Sequence, residues 1–307
     1  DCMKVLYVFS GNSGNDAAFI LEQIASVPNT TSKIFRLKGK GSLGYLLNYF
    51  PLLLAVLRFR PQIIHAHYGL SGALVGMLPV WMPKIVTFHG SDINNPQNRG
   101  YSKFAHRASS KSIFVNEALK DLLQVTDKYE ILPCGVDREL FRPAPQAKCR
   151  EQLGLPPSDV VILFSSSFSN PVKNYPLARA SVECLAKKLD QEVKLVELKG
   201  MSREEVSMVM NASDVCLLTS RNEGSPQFIK EALACGRPVV STDVGDVRAL
   251  FEGIERGTFL VDSNAGQICA ALQEALAFDS ISIGPSIEKL DINVLGLRLA
   301  EIYRSVR

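Results

Sequence analysis

The sequence predicts an α/β fold of two Rossmann-like lobes whose parallel sheets face a central cleft. Three observations predict it. Strand-like and helix-like segments alternate from end to end. The strand segments are Val/Ile-rich runs with little in–out alternation, which a parallel sheet covered on both faces requires. The 307 residues correspond to two domains at about 150 residues each.

In the first half, Val5–Ser10 reads as a strand, Gly11-Asn12-Ser13-Gly14 as a tight turn and Asp16–Val27 as a helix. Further strands are Lys33–Leu37, Ile63–His67, Ile85–His89 and Ser112–Asn116, with helical patterns between them, including Leu43–Leu57 and Glu117–Val125. Strands joined by helices imply right-handed βαβ crossovers.

The second half repeats the scheme. Strands at Val160–Ser165, Val193–Leu198, Asp214–Thr219 and Pro238–Thr242 alternate with helices at Tyr175–Leu189, Arg203–Asn211, Pro226–Cys235 and Ala265–Phe278. The prolines of Phe141-Arg142-Pro143-Ala144-Pro145 break both helix and strand. They set the domains at 1–142 and 143–286. Residues 279–286 form a second Gly/Pro/Ser-rich break before a last helix, Ile292–Ser305.

Lys+Arg exceed Asp+Glu by 34 − 31 = +3, too little to argue for nucleic acid. The first 145 residues carry 16 basic and 10 acidic residues, the remainder 18 and 21, so the halves suit different partners. The 7 cysteines are odd in number and scattered, without a Cys-x-x-Cys pair. They read as reduced thiols of a cytoplasmic protein, with Cys216 and Cys235 as small buried fillers. The strand at Lys4–Ser10 follows no charged leader, so no signal peptide is expected.

Leu43–Leu57 is apolar apart from Asn48 and contains Pro51. A spanning helix needs about 20 apolar residues. Lys38, Lys40, Arg58 and Arg60 flank it, which fits a peripheral membrane-surface helix reaching a lipid-linked acceptor. The alternative, a buried crossover helix, is preferred because the segment is apolar nearly all round.

Ligands of such sheets sit beyond the carboxyl ends of the strands. The most informative loop there is Arg221-Asn222-Glu223-Gly224, followed by Ser225 as N-cap, Pro226 at the first helical position and Gly236 as the stop. A helix start beside a glycine favours an anion such as a diphosphate. Glu231, a turn into that helix, is placed to accept hydrogen bonds from a ribose diol. His65 and His67 share a strand, but no carboxylate or Cys accompanies them locally, so no metal is expected. Gly11-Asn12-Ser13-Gly14 falls short of the dinucleotide fingerprint and reads as a loop lining the acceptor side.

Glu223-x7-Glu231 within E-G-S-P-Q-F-I-K-E-A-L-A-C-G, followed by P-V-V-S-T-x-V-G, resembles the signature of retaining GT-B glycosyltransferases of family 4, group 1. Phe88-His89-Gly90-Ser91-Asp92 resembles the family's His-Gly segment, and Ile131–Asp137 with Phe141 and Pro143 its entry to the second domain. Lys173-Asn174 resembles its basic donor-loop motif. The sequence departs from that motif at Phe168, where the family has an Arg. Arg221 and Arg237 are the candidates to replace it.

The resemblance implies a metal-independent, retaining transfer of a hexose-type sugar from a nucleotide-diphosphate donor to a hydroxyl of a glycan or lipid-linked acceptor, with no cofactor. Surface polysaccharide synthesis is the expected setting. Glu231 would bind the ribose, Lys173 the diphosphate, and Glu223 with the backbone of Gly224, Ser225, Pro226 and Gln227 the transferred sugar. Leu198 would meet the base. His89 would help place the sugar, making His89, Glu223 and Lys173 the catalytic set. Gly11–Gly14 and Asp92 would lie on the acceptor side. The final helix, 287–307, would pack back on the first domain. Alternatives are a nucleotide-sugar epimerase of the same fold, a degenerate GT-B domain that binds a glycan or partner without turnover, and, more remotely, an NAD-binding protein.

Overall fold

A computed structural model of the chain describes residues 2–11 and 18–307. Asn12, Ser13 and Gly14, expected on the acceptor side, lie outside the described residues. The chain forms two compact units, one of Asp1–Gly135 with Ile292–Arg307, the other of Val136–Asp291.

The first unit runs β1 (Met3–Ser10), α1 (Ala18–Ser26), β2 (Thr30–Leu37), α2 (Gly41–Leu46), α3 (Tyr49–Phe59), β3 (Ile63–His67), α4 (Gly69–Gly76), β4 (Lys84–Phe88), α5 (Ser91–Asn94), α6 (Arg99–Ala108), β5 (Lys111–Phe114), α7 (Glu117–Leu123) and β6 (Tyr129–Ile131). The second runs α8 (Gln146–Leu153), β7 (Val160–Phe164), α9 (Tyr175–Leu189), β8 (Val193–Glu197), α10 (Arg203–Ala212), β9 (Val215–Leu218), α11 (Gln227–Ala234), β10 (Val239–Thr242), α12 (Val247–Phe251), β11 (Thr258–Val261), α13 (Ala265–Ala275) and α14 (Pro285–Glu288). The last helix, α15 (Ile292–Ser305), belongs to the first unit.

Both sheets are parallel, ordered β2-β1-β3-β4-β5-β6 and β11-β10-β9-β7-β8. Every residue of β3 and of β9 is buried, the two-sided cover that an unalternating apolar strand needs. Small residues let α4 lie close on α6. A Cβ on Gly69, Gly72 or Gly76 would come within 2.0, 2.9 and 2.7 Å of Ser102, Ala105 and Ala108 of α6.

The unit boundary falls at Gly135/Val136 rather than at 142/143. Val136 pairs in parallel with Asp291 and donates its N–H to Leu290 O at 2.8 Å, so both ends of the second unit are stitched together before the prolines.

Two expectations are corrected. Leu43–Leu57 is not a buried crossover helix. It is two helices, α2 and α3, and only Leu52 and Val56 of α3 are buried. Asn48 marks the break, donating to Lys38 O and Gly44 O at 2.9 Å and accepting from Lys38 N at 3.1 Å. Nor are all thiols reduced, because Cys184 of α9 and Cys269 of α13 are joined across 6.0 Å between their Cα atoms.

Candidate functional site

The second sheet changes direction between β7 and β9, since β8 lies on one side of β7 and β9 on the other. Loops leaving the carboxyl ends at such a switch point diverge and leave a crevice. The loop after β7 ends in a short 3₁₀ turn, Pro171–Lys173, with Asn170 accepting from Val172 N at 3.1 Å. Thr219, just past β9, donates to Lys173 O at 2.8 Å, and Arg221 N donates to Val172 O at 2.9 Å. The two loops are thereby tied edge to edge.

This fastening brings Lys173 to Glu223, 50 residues apart. Lys173 Nζ donates to Glu223 Oε1 at 2.6 Å, and Ser220 Oγ donates to the same oxygen at 2.6 Å. Both charged side chains are mostly buried, so the pair is shielded more than a surface ion pair.

Behind the pair, α11 opens at Pro226, which is itself the N-cap, and Gln227 is the first helical residue. Ser225 does not cap, because its hydroxyl donates to Asp246 Oδ2 at 2.6 Å. Burial pushes the Asp246 carboxyl up, and the fully buried Lys230 ammonium works in the opposite direction. Gly245, at φ +59°, presses on Gly224, and a Cβ there would meet Gly224 O at 2.5 Å. At its other end α11 closes as a Schellman motif. Gly236 N donates to Leu233 O and Arg237 N to Ala232 O, each at 3.0 Å.

Glu231 is 3% exposed. Its Oε1 accepts from Arg203 Nη2 at 2.5 Å. Arg203 opens α10, where Ser202 and Glu205 form a capping box, and its guanidinium lies 4.7 Å from the Phe141 ring centroid. Sequence reasoning missed Arg203 and Lys230. A lysine inside the apolar stretch of α11 was a readable signal; nothing local marked Arg203.

Phe168, in place of the family's Arg, serves the core. Its ring stacks on Tyr175 at 4.1 Å and touches Phe164 at 5.6 Å. Arg221 lies beside the Lys173 loop, exposed, with Nη2 3.4 Å from Asn174 Oδ1. Arg237 is buried just past the C-terminal end of α11, away from the Pro226 end. Leu198 is half-buried and donates its N–H to Ser166 O at 3.1 Å, which joins the loops after β8 and β7.

In the first unit, His89 follows β4. Its Nε2 is 3.0 Å from His67 Nδ1, and its Nδ1 is 3.7 Å from Cys134 Sγ. Asp92 is buried. Its Oδ1 accepts from Gly90 N at 2.9 Å and His89 N at 3.2 Å, and its Oδ2 from Gly69 N at 3.0 Å. It therefore fastens the His89–Gly90 turn to the start of α4. Gly90, at φ +120°, makes that turn feasible. Gly11 is described, with its N–H bound to Leu37 O at 2.8 Å.

His65 is a satisfied core histidine. Tyr303 donates its hydroxyl proton to Tyr7, so it accepts from His65 Nδ1 at 2.6 Å, and Thr87 lies 2.7 Å from Nε2. No group of three or more His, Cys, Asp or Glu able to hold a metal ion occurs among the described residues. Burial holds His65 well below its usual range and His67 at about 3, while burial lifts Asp92 to about 6 against the pull of its backbone N–H donors.

Below pH 6.5 the unfolded chain takes up protons on both histidines that the folded chain refuses, so stability falls with pH. Asp92 opposes this, because its folded form gains a proton first, near pH 6. Two histidines outweigh one carboxyl, so stability is expected to fall from pH 7 to pH 5, measured by urea unfolding at the two values. A pH-independent midpoint would contradict neutral core histidines.

Two sequence models of known families match the chain. One, described as Glycosyltransferase Family 4, covers residues 6–140. The other, Glycosyl transferases group 1, covers residues 161–277. The chain belongs to the family 4, group 1 glycosyltransferases.

This family 4 chain is 27% identical over 218 residues to a Bacillus subtilis protein described as a teichuronic acid biosynthesis glycosyltransferase, TuaC, covering 62% of this chain and 55% of that protein. It spans between 55% and 63% of the length of the first curated relatives it matches. Its GT-B fold is that of sucrose-phosphate synthase from Thermosynechococcus elongatus, at TM-score 0.82 and 16% identity over 99% of both chains. It is also that of Anabaena Alr3699/HepE, solved in complex with UDP, at TM-score 0.76 and 19% identity over 99% of this chain and 100% of that one.

Proposed function

We propose that this chain carries the donor site of a retaining glycosyltransferase, which moves a sugar from a nucleotide-diphosphate donor to a hydroxyl of a glycan or lipid-linked acceptor. The observation that carries the proposal is the meeting of Lys173, Glu223 and the start of α11 at the switch point of the second sheet, with Glu231 buried one turn behind.

In this reading the diphosphate takes the α11 start and exchanges with Glu223 for the Lys173 ammonium. A fixed cation there stabilises charge developing on the leaving group, so the reaction asks for no metal. Released from Lys173, Glu223 accepts hydrogen bonds from the transferred sugar, together with the Gly224–Gln227 backbone. Glu231 receives the ribose hydroxyls, and Arg203 holds that carboxylate in place. Leu198 lies towards the base. Transfer is front-face, with the diphosphate helping to deprotonate the acceptor, and no protein nucleophile is assigned. The same proposal keeps His89 as the residue that helps place the sugar, which requires its bond to His67 to be exchanged, and Gly11–Gly14 with Asp92 as the acceptor's. A cytoplasmic role in surface polysaccharide synthesis belongs to the same proposal.

Isothermal titration with UDP, GDP and ADP tests it. At least one binds, and Glu231→Ala weakens that one about tenfold, the loss of a hydrogen-bonded charged acceptor. No binding of any nucleoside diphosphate would overturn the donor site, and an unchanged affinity in the variant would remove the ribose role. Mass spectrometry of the donor with and without acceptor separates transfer from isomerisation.

A further inference from the structure

We infer that α2 and α3, with the turn bearing Trp81, form a surface that seats this chain on an anionic lipid bilayer. The surface stands apart from the donor reading, since it lies wholly within the first unit and needs no nucleotide.

The helix pair has two faces of opposite accessibility. On α3, Leu52 and Val56 pack on Leu6, Leu37 and Ile64 of the core, with Tyr49, Leu53 and Phe59 flanking them. The opposite stripe, Phe50, Leu54 and Leu57 at i, i+4 and i+7, is 77%, 46% and 60% exposed. Leu43 and Leu46 of α2, and Leu47 just after it, are likewise exposed. A second segment joins this face. Tyr49 Oη lies 3.4 Å from Met77 O, and Met77 is exposed. Val80 and Met82 pack on the same core cluster as α3 and hold between them Trp81, 94% exposed. Soluble surfaces scatter single apolar residues; a contiguous group of this size marks an interaction site.

Charge chooses the occupant. From Gln23 to Ser91 the sequence has no Asp or Glu, yet it carries Lys33, Arg36, Lys38, Lys40, Arg58, Arg60 and Lys84. Lys38 and Lys40 enter α2, and Arg58 and Arg60 leave α3, all four exposed. An apolar face with Trp and Phe, rimmed by Lys and Arg, is the composition of a helix lying in a bilayer interface. Anionic headgroups attract each such cation near the surface. A second copy is a poor match, because a two-fold contact would set this basic rim against itself. The pair does not span: Asn48 breaks it, and Leu52 and Val56 stay rooted in the protein core.

Trp81 is the sole tryptophan, so its fluorescence reports the surface directly. The experiment adds phosphatidylcholine vesicles, or mixed phosphatidylcholine–phosphatidylglycerol vesicles, to the full chain and follows emission and flotation. Blue-shifted emission and flotation are expected with the mixed vesicles and should weaken steeply as salt rises. Phe50→Ser with Leu54→Ser should lower binding more than tenfold, and each of Lys38→Gln, Lys40→Gln and Arg58→Gln about fivefold. Absence of both signals with the mixed vesicles would overturn the proposal. So would sedimentation showing a dimer that the Phe50→Ser, Leu54→Ser variant splits, since that face would then be covered by a second copy.

Discussion

Replacing Lys173 by alanine lowers kcat about 10²- to 10³-fold, the loss typical of one preorganised group facing a developing negative charge. The structure gives this substitution a second effect. Glu223 shares its Oε1 between Lys173 and Ser220, so the variant leaves a mostly buried carboxylate with a hydroxyl in place of its cation. That carboxylate would then repel the donor diphosphate, and KM should rise as kcat falls. Lys173→Arg keeps the charge and should recover part of kcat. Steady-state kinetics with the nucleotide sugar identified by titration reads both. A rate within threefold of the parent would remove Lys173 from the leaving-group role.

Replacing Arg150 by alanine destabilises the second unit by about 3–5 kcal/mol, the range for breaking a buried ion pair from one side. Arg150 is buried on α8, and its guanidinium is fully committed. Nε donates to Ala212 O at 2.8 Å, Nη1 to Pro157 O at 2.9 Å and Asp159 O at 3.1 Å, and Nη2 to both oxygens of Asp214 at 2.9 and 2.8 Å. Asp214 in turn accepts from Val161 N at 2.8 Å and Gln146 Nε2 at 3.1 Å. One side chain thus closes the start of β7, the end of α10 and the turn before β9. Removing it takes the cation from the Asp214 carboxylate, which keeps Val161 N and Gln146 Nε2, and a donor from each of three carbonyls. Urea unfolding should show the loss. The Arg150→Ala, Asp214→Ala double variant should lose less than the sum of the singles, because the second change removes the orphaned charge. A single-variant loss below about 1 kcal/mol, the scale of an exposed pair, would mean that the clamp carries little.

What could be read from the sequence was local. The start and stop of α11 were legible because Pro226 and Gly236 act on the backbone at their own positions, and only the cap slipped by one residue when Asp246 claimed Ser225. The central strands were legible because two-sided burial demands uninterrupted Val and Ile. The short edge strands β6 and β11 escaped because half-buried three- and four-residue runs carry no such demand. Features built from distant residues were not legible. Arg203 and Glu231 are 28 positions apart, and Cys184 and Cys269 are 85 apart. The α2–α3 segment misled because apolarity all round says only that a helix can be buried. It does not say which side finds a partner.

The stitch at Val136 and Asp291 bears on how the chain comes off the ribosome. The second unit is complete once residue 291 has emerged, whereas the first waits for Tyr303 to reach Tyr7 and His65. During that interval, translation of the intervening 156 residues (Val136–Asp291) leaves the earlier-made sheet without its last helix. The nascent first unit then exposes the strand surface that α15 later covers, and a segment made after the second unit closes the body begun before it.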